Sequence, residues 1–392
     1  MHYLVALLSV FVIFLLALLV SSNRSGIRFR PLAVMLVIQL VLAFALLNTG
    51  AGAVFIGGFA SAFAKLLSYA AVGVNFVFGG IVKPDTFVFF FNVLMPIVFV
   101  SALIGILQYI SVLQWFMRIV GWLLSKITGM GKLESYNGIA SLILGQSEVF
   151  ISMKKQLDYL TPQRLYTLNA SAISTVSMSI VGSYMQIIDP RYVVTAVALN
   201  MFGGFMIASI INPYTVAPEE DLLELENPRK QHFFDMLGEY LLDGFKIAVI
   251  VAVMVMGYVA LIAMVNGLFD GIFGMTFEHL AGYAFSPFAL LIGIPFSDAI
   301  QVGGIMAIKT LSNEFVAMLQ LQNLNELSPR SIGITSVFLV SFANFSSVGI
   351  IAGAIKALSD KQAVEVARVG LKLLYGAMLV SLLSATIAGL FI

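Results

Sequence analysis

The chain is 392 residues long, 60% hydrophobic and 10% charged, with a formal net charge of +1 and a mean hydropathy of +1.00. Soluble domains carry about 25% charged residues, so this composition is that of an integral membrane protein, and a near-neutral charge without long basic runs argues against nucleic acid as a partner. There are no cysteines, which excludes disulfides, thiolate metal sites and cysteine nucleophiles, and His2, His232 and His279 lack metal-ligand spacing.

Tyr3 to Val20 is apolar with no basic residue before it. A signal peptide would carry a positive n-region and a small-residue cleavage site, so the segment reads as a retained first membrane helix. Apolar runs of the roughly 20 residues needed to cross a bilayer fall near 2–22, 31–50, 86–110, 164–188, 191–212, 244–267, 332–355 and 369–391. The stretch 54–81 is rich in Gly and Ala and suits an interfacial or packed helix. Residues 133–157 and 285–322 are apolar but interrupted by Gly, Pro, Ser and acids, which lipid-facing helices do not tolerate.

Basic residues orient the spans. Arg24, Arg28 and Arg30 precede the second span, and counting from there places Lys126, Lys132, Lys154, Lys155, Arg164, Arg229, Lys230, Lys246, Lys356, Lys361, Arg368 and Lys372 on the cytoplasmic side. Segments 268–287 and 322–331 come out external, as do both termini.

The polar loop from Pro218 to Lys230 separates two halves of similar plan: a span, an interrupted segment with an acid, a span with small polar residues, and a final span. Ser179 follows Glu148 at nearly the spacing by which Asn344 follows Glu314. The first interrupted segment starts from the cytoplasmic side and the second from the external side, the pattern of inverted-topology repeats whose substrate and ion sites meet near the midplane. The expected division is 1–84 as N-terminal scaffold and 85–212 as the first repeat with a re-entrant hairpin at 131–158. A polar loop and amphipathic helix follow at 213–242, then the second repeat at 243–392 with a hairpin at 285–322.

Glu148 and Glu314 lie in stretches otherwise apolar enough for a bilayer, where an acid costs about 2.5–3.5 kcal/mol at a helix centre. Such groups face a cavity, a partner or a substrate. In Gly145-Gln146-Ser147-Glu148 the side chains supply two amide donors, hydroxyl and carbonyl acceptors and a carboxylate, a set suited to a polar, neutral molecule. The alternative is a Glu148 paired with a basic residue or lying near the headgroups. Asn313-Glu314 and Asn344-Phe345-Ser346-Ser347 form the second set, in which a carboxylate can hold a vicinal diol bidentately. Phe342 and Phe345 could offer a ring face or simply pack. Lys309 reads equally as a structural counter-charge or a substrate contact, and Asp298 as a titrating carboxylate or an N-cap for the helix that follows it. Gly50-Ala51-Gly52 and Gly79-Gly80 lack the context of a phosphate-binding loop, so nucleotide-driven transport by this chain is not expected. No nucleophile or metal set accompanies the two acids, which argues against an enzyme. Acids in interrupted hairpins rather than on continuous pore-lining helices argue against the remoter alternative, a cation channel.

These residues carry a resemblance to the concentrative nucleoside transporter family. Its hallmark (Gly/Ala)-x-Lys-x3-Asn-Glu-Phe-Val-Ala-(Tyr/Met/Phe) is met by Ala307, Lys309 and Asn313 through Met318, its Gly-Gln-(Ser/Thr)-Glu by Gly145 through Glu148, and a third block by Phe342-Ala343-Asn344-Phe345-Ser346-Ser347. The resemblance runs along essentially the whole chain and implies an all-α integral membrane fold of eight spans with two re-entrant hairpins. It further implies an elevator-like transport part and homotrimeric assembly in a bacterial cytoplasmic membrane. It assigns Gln146, Ser147 and Glu148 to the nucleobase, Glu314, Asn344 and Ser347 to the ribose hydroxyls, and Phe342 to the flank of the sugar. Pyrimidine nucleosides such as uridine are the expected cargo, with adenosine as well, and no cofactor is implied. Sodium-coupled members carry an Asn where this chain has Ser141; the rest of that site would be the carbonyls of Leu144, Ser179 and Ile180 and the Ser179 hydroxyl. Proton-coupled members also carry Ser there, so a proton is the expected coupling ion and sodium the alternative.

Overall fold

The computed structural model describes residues 2–81, 88–217, 219–223, 232–324 and 326–392, and every regular element among them is helical. Arg229 and Lys230 of the orientation argument lie outside the described residues, as does most of the polar loop. Three long apolar helices open the chain: α1 (His2–Leu19), α2 (Phe29–Asn48) and α3 (Gly50–Phe78). α2 buries a single stripe, Leu32, Met35, Gln39 and Ala43, the spacing of one helix face. Thr49 caps α3 by accepting from the Gly52 N–H at 3.0 Å. The stretch expected to be interfacial or packed is this helix of 29 residues, long and apolar enough to cross a membrane.

A π-helical turn, Phe90–Leu94, leads into α4 (Pro96–Tyr109), and α5 (Val112–Thr128) follows. α5 buries Gln114, Met117, Gly121, Leu124 and Thr128 and turns Trp115, Phe116, Trp122 and Leu123 outward. Gly129 ends it with φ +67°, the left-handed C-terminal geometry that glycine adopts without a Cβ penalty. The first hairpin then runs down α6 (Lys132–Ile143) and back through α7 (Glu148–Ser152) and α8 (Lys154–Leu157). A broken helix follows, α9 (Pro162–Ser174) and α10 (Met178–Tyr184), and α11 (Pro190–Ile211) closes the half.

The second half repeats the order: α12 (Phe233–Phe273), α13 (Phe277–Leu291), a hairpin of α14 (Ala299–Leu311) and α15 (Glu314–Asn323), the broken helix α16 (Pro329–Leu339) and α17 (Phe345–Lys356), and α18 (Asp360–Ala388). α5 packs on α6 as α13 packs on α14, and α11 and α18 pack together at the centre against α9. α13 and α14 approach closely: a Cβ on Gly303 would stand 2.5 Å from the Gly282 carbonyl oxygen.

Four segments differ in detail from the sequence expectation. Runs 164–188 and 332–355 are each two half-helices rather than one span. The second hairpin starts at Ala299, and residues 285–291 belong to α13. The helix of the long span begins at Phe233 and runs unbroken for 41 residues, so no separate amphipathic helix precedes it within the described residues. Hydropathy averages over a window and does not register a break of a few polar residues. In the first break, Ser174 and Thr175 hydroxyls bond back to the Ala170 and Ser171 carbonyls, the local competition that loosens a helix. Among the described residues six helices are long and apolar enough to cross a membrane by themselves.

Candidate functional site

The two hairpin tips and the two helix breaks converge. The Phe342 N–H in the second break donates to the Thr175 carbonyl of the first at 3.2 Å, tying the unwound segments together. Unwound backbone at membrane depth must find partners inside the protein. Asn200 on α11 donates to the Val340 carbonyl at 2.5 Å, and the Lys309 ammonium reaches the Phe338 carbonyl at 2.5 Å, Ser341 Oγ at 2.7 Å and Ser381 Oγ at 3.1 Å. Lys309 also lies 4.3 Å from the centre of the Phe338 ring and is fully buried. Its hydrogen bonds all go to α16, the break and α18, so it braces the broken helix and makes neither a direct pair with Glu314 nor a contact with the cavity.

Glu314 opens α15 beneath the N-cap Asn313, whose Oδ1 accepts from the Val316 N–H at 3.0 Å. Its Oε1 accepts from the Tyr184 hydroxyl at 2.7 Å and its Oε2 from the Asn344 amide at 2.8 Å. Asn344 in turn caps α17, taking the Ser347 N–H at 2.8 Å and the Ser346 hydroxyl at 2.7 Å on Oδ1. Each oxygen of the carboxylate therefore holds one donor and keeps acceptor capacity. Tyr184, which the sequence reading missed, is also packed edge-on against Phe315 at 4.9 Å; its only signal was a phenol inside a run apolar enough to cross a membrane.

At the first tip Gly145 has φ +115°, a conformation that favours glycine, and a Cβ there would lie 2.6 Å from Glu148 Oε2. Among the described residues no cation pairs with Glu148. Gln146 is buried and its Oε1 has no hydrogen-bond partner.

A cavity of about 480 Å³ joins these groups, within the range of small-molecule sites, roughly 300–1,000 Å³. Gly145, Gln146, Ser147 and Glu148 line it from the first tip, Glu314 from the second, Phe342 and Asn344 from the second break, and Ser347 from the first turn of α17. Ile247, Ile250 and Met254 of α12 form an apolar wall, and Ile180 also borders it. Leu144 and Ser179 line a different cavity. Ser179 Oγ lies 2.9 Å from Ser177 Oγ, and the buried Ser141 hydroxyl is directed back to the Asn137 carbonyl at 2.7 Å. Phe345 is 46% exposed and stands outside the cavity lining.

Two further acids have structural partners. Asp298 makes no side-chain cap to α14; it accepts instead from the Ser328 N–H at 3.2 Å and the Ser328 and Ser331 hydroxyls at 3.0 and 2.6 Å, so it anchors the start of α16. Burial opposes its ionisation, but hydrogen bonds from Ser331, Ser297 and Ser328 outweigh it and hold the carboxyl below its ordinary value. Glu134, in the first hairpin, takes Arg164 bidentately at 2.6 and 3.1 Å and the Tyr214 hydroxyl at 3.1 Å.

The chain matches the family models described as Na+ dependent nucleoside transporter N-terminus over residues 8–81, Nucleoside recognition over 90–191 and Na+ dependent nucleoside transporter C-terminus over 192–389. It is 37% identical to the Purine nucleoside transport protein NupG of Bacillus subtilis, with 100% of both chains covered. It is 30% identical to the Nucleoside permease NupC of Helicobacter pylori, covering 97% of this chain and 96% of that one. Among solved structures, CNTnw in an inward-facing substrate-bound state superposes with a TM-score of 0.93 at 31% identity, covering 100% of this chain and 98% of that one. A variant of CNTnw in an outward-facing state gives 0.94 at 30% identity with the same coverage.

Proposed function

We propose that this chain, which belongs to the concentrative nucleoside transporter family, imports nucleosides with a proton as the coupling ion, moving hairpins and broken helices together in an elevator-like manner. The fold is that of an elevator-type membrane transporter, and a family of transporters rather than enzymes frames the reading. The observation that carries it is the cavity in which Gln146, Ser147 and Glu148 face Glu314 and Asn344. Unpartnered Gln146 Oε1 suits an N–H on the edge of a base, and the remaining acceptor capacity of Glu314 suits two adjacent ribose hydroxyls. Phe342, 5% exposed, would flank the sugar.

Uridine and adenosine are the proposed cargoes. The B. subtilis relative, named for purine nucleosides, favours a second reading in which purines are preferred. The proton is proposed because Ser141 is shorter than the Asn of sodium-coupled members and its hydroxyl is engaged with Asn137; sodium is the alternative. A homotrimer in a bacterial cytoplasmic membrane, with both termini external, completes the proposal. The test is uptake of labelled uridine, adenosine and inosine into proteoliposomes under separately imposed inward proton and sodium gradients. Accumulation driven by the proton gradient alone is expected. No accumulation of any nucleoside under either gradient would refute the reading.

A further inference from the structure

α5 is not among the helices long and apolar enough to cross a membrane. Its buried side packs chiefly on α6, the first arm of the first hairpin, and a Cβ on Gly121 would lie 3.1 Å from Tyr136 Cα. Two rows of residues face outward. Trp115, Arg118, Trp122 and Lys126 follow one another at helical spacing, which sets them on one face, and all four are exposed. Phe116, Ile119, Leu123 and Ile127 repeat that spacing one residue later and are exposed as well. Trp115 and Trp122, 67% and 54% exposed, are the only tryptophans of the chain.

The charge on this face is unanswered. α5 contains no Asp or Glu, and among the described residues neither Arg118 nor Lys126 takes part in an ion pair. Arg28 adds a third exposed cation at the same end as Lys126, its guanidinium donating to the Gly129 carbonyl just past α5 at 3.0 Å. Tryptophan favours the boundary between membrane and water, and a helix that carries Trp, Phe and Leu beside Arg and Lys lies in that boundary. The two rows ask for two chemistries at once, acyl chain over Phe116, Ile119, Leu123 and Ile127 and an anion at Arg118 and Lys126. A free phosphate answers only the cations, and a zwitterionic headgroup brings a cation of its own. An anionic phospholipid answers both rows. Arg and Lys can lay their stems along apolar surface and keep the charged end at headgroup level, and the guanidinium fork matches a phosphate.

We propose that the outer face of α5 binds anionic phospholipid, with Arg118 and Lys126 each holding a headgroup and Trp115 and Trp122 marking the headgroup boundary. The two cations stand about 12 Å apart along the helix axis, room for one headgroup at each. Because α5 packs on α6, a lipid held there is attached to the arm of the first hairpin. No residue of this face borders the nucleoside cavity, so the surface can be altered without touching that site.

The tryptophans supply the probe, since all of the chain's tryptophan fluorescence comes from this face. The unaltered protein and the double variant Arg118→Gln with Lys126→Gln are reconstituted in phosphatidylcholine vesicles. Increasing fractions of dibrominated phosphatidylglycerol, or of dibrominated phosphatidylcholine, are added as quenchers that act only in contact with the ring. In the unaltered protein the relative association constant should favour phosphatidylglycerol by at least about five-fold, the effect of one cation near a membrane surface. In the double variant the two lipids should quench alike, with quenching by phosphatidylcholine unchanged. Equal quenching by both lipids in the unaltered protein overturns the inference, as does a preference that survives in the double variant. Quenching by neither lipid also overturns it, because another copy of the chain would then cover the face.

Discussion

The Asn344 amide donates to Glu314 Oε2 at 2.8 Å across a separation of 30 positions, joining the tip of the second hairpin to the break in the following helix. Because Asn344 Oδ1 also caps α17 through the Ser347 N–H, a ligand held by Glu314 is held by the orientation of a helix as well. Glu314 thus couples the site to the half-helices around it.

Glu314→Gln replaces an acceptor of two donors by a group that presents its own donor to Tyr184 or Asn344. One buried partner is then left unpaired, at about 1–3 kcal/mol, and nucleoside binding should weaken roughly ten- to hundred-fold while the protein stays folded. Tyr184→Phe keeps the packing on Phe315 and removes one donor, so its loss should be smaller. Equilibrium binding of labelled uridine and adenosine to purified protein, with a thermal melt alongside, checks both. Unchanged affinity in Glu314→Gln would remove the carboxylate from the site.

Gly145→Ala places a methyl group 2.6 Å from Glu148 Oε2 in a backbone conformation that side chains avoid. Strain of this kind costs about 1–3 kcal/mol and is relieved by moving the tip. Uptake should fall at least about ten-fold in a protein that still elutes as one folded species. Full uptake would show that the tip tolerates rearrangement.

Lys309→Met keeps the length of the side chain and deletes its ammonium. The Phe338 carbonyl loses its partner, at about 1–3 kcal/mol, whereas Ser341 and Ser381 still hold each other at 2.8 Å. A lower thermal midpoint is expected, together with weaker nucleoside binding, since Phe342 and Asn344 lie in the segment that Lys309 braces. Weaker binding with an unchanged midpoint would instead place Lys309 against the substrate.

Asp298 lies in the loop before α14, and its carboxyl is held below the ordinary value of 3.8. The folded protein therefore favours the ionised form more than the unfolded chain does. Its contribution to stability is complete above that value and is lost as pH falls through the lowered folded value. Asp298→Asn should lower stability at neutral pH and flatten the decline below about pH 4, measured by thermal melts from neutral to acid pH. A variant whose melting curve against pH parallels that of the unaltered protein would contradict the assignment.

Membrane embedding, the paired acids, the tip and break motifs and the doubling of the chain were legible in the sequence, because each is local. Hydropathy is a sum over neighbours, and Gly145 through Glu148 or Asn313 through Ala317 are contiguous. The tertiary structure decided what those residues face. Tyr184 reaches Glu314 from 130 positions away, Glu134 takes Arg164, Lys309 turns to Phe338, Ser341 and Ser381, and Asp298 holds Ser328 and Ser331 at the start of α16 rather than capping its own helix. No window over the chain contains such pairs. A buried polar group must be satisfied by whichever partner packing brings within hydrogen-bond reach, and that choice belongs to the fold.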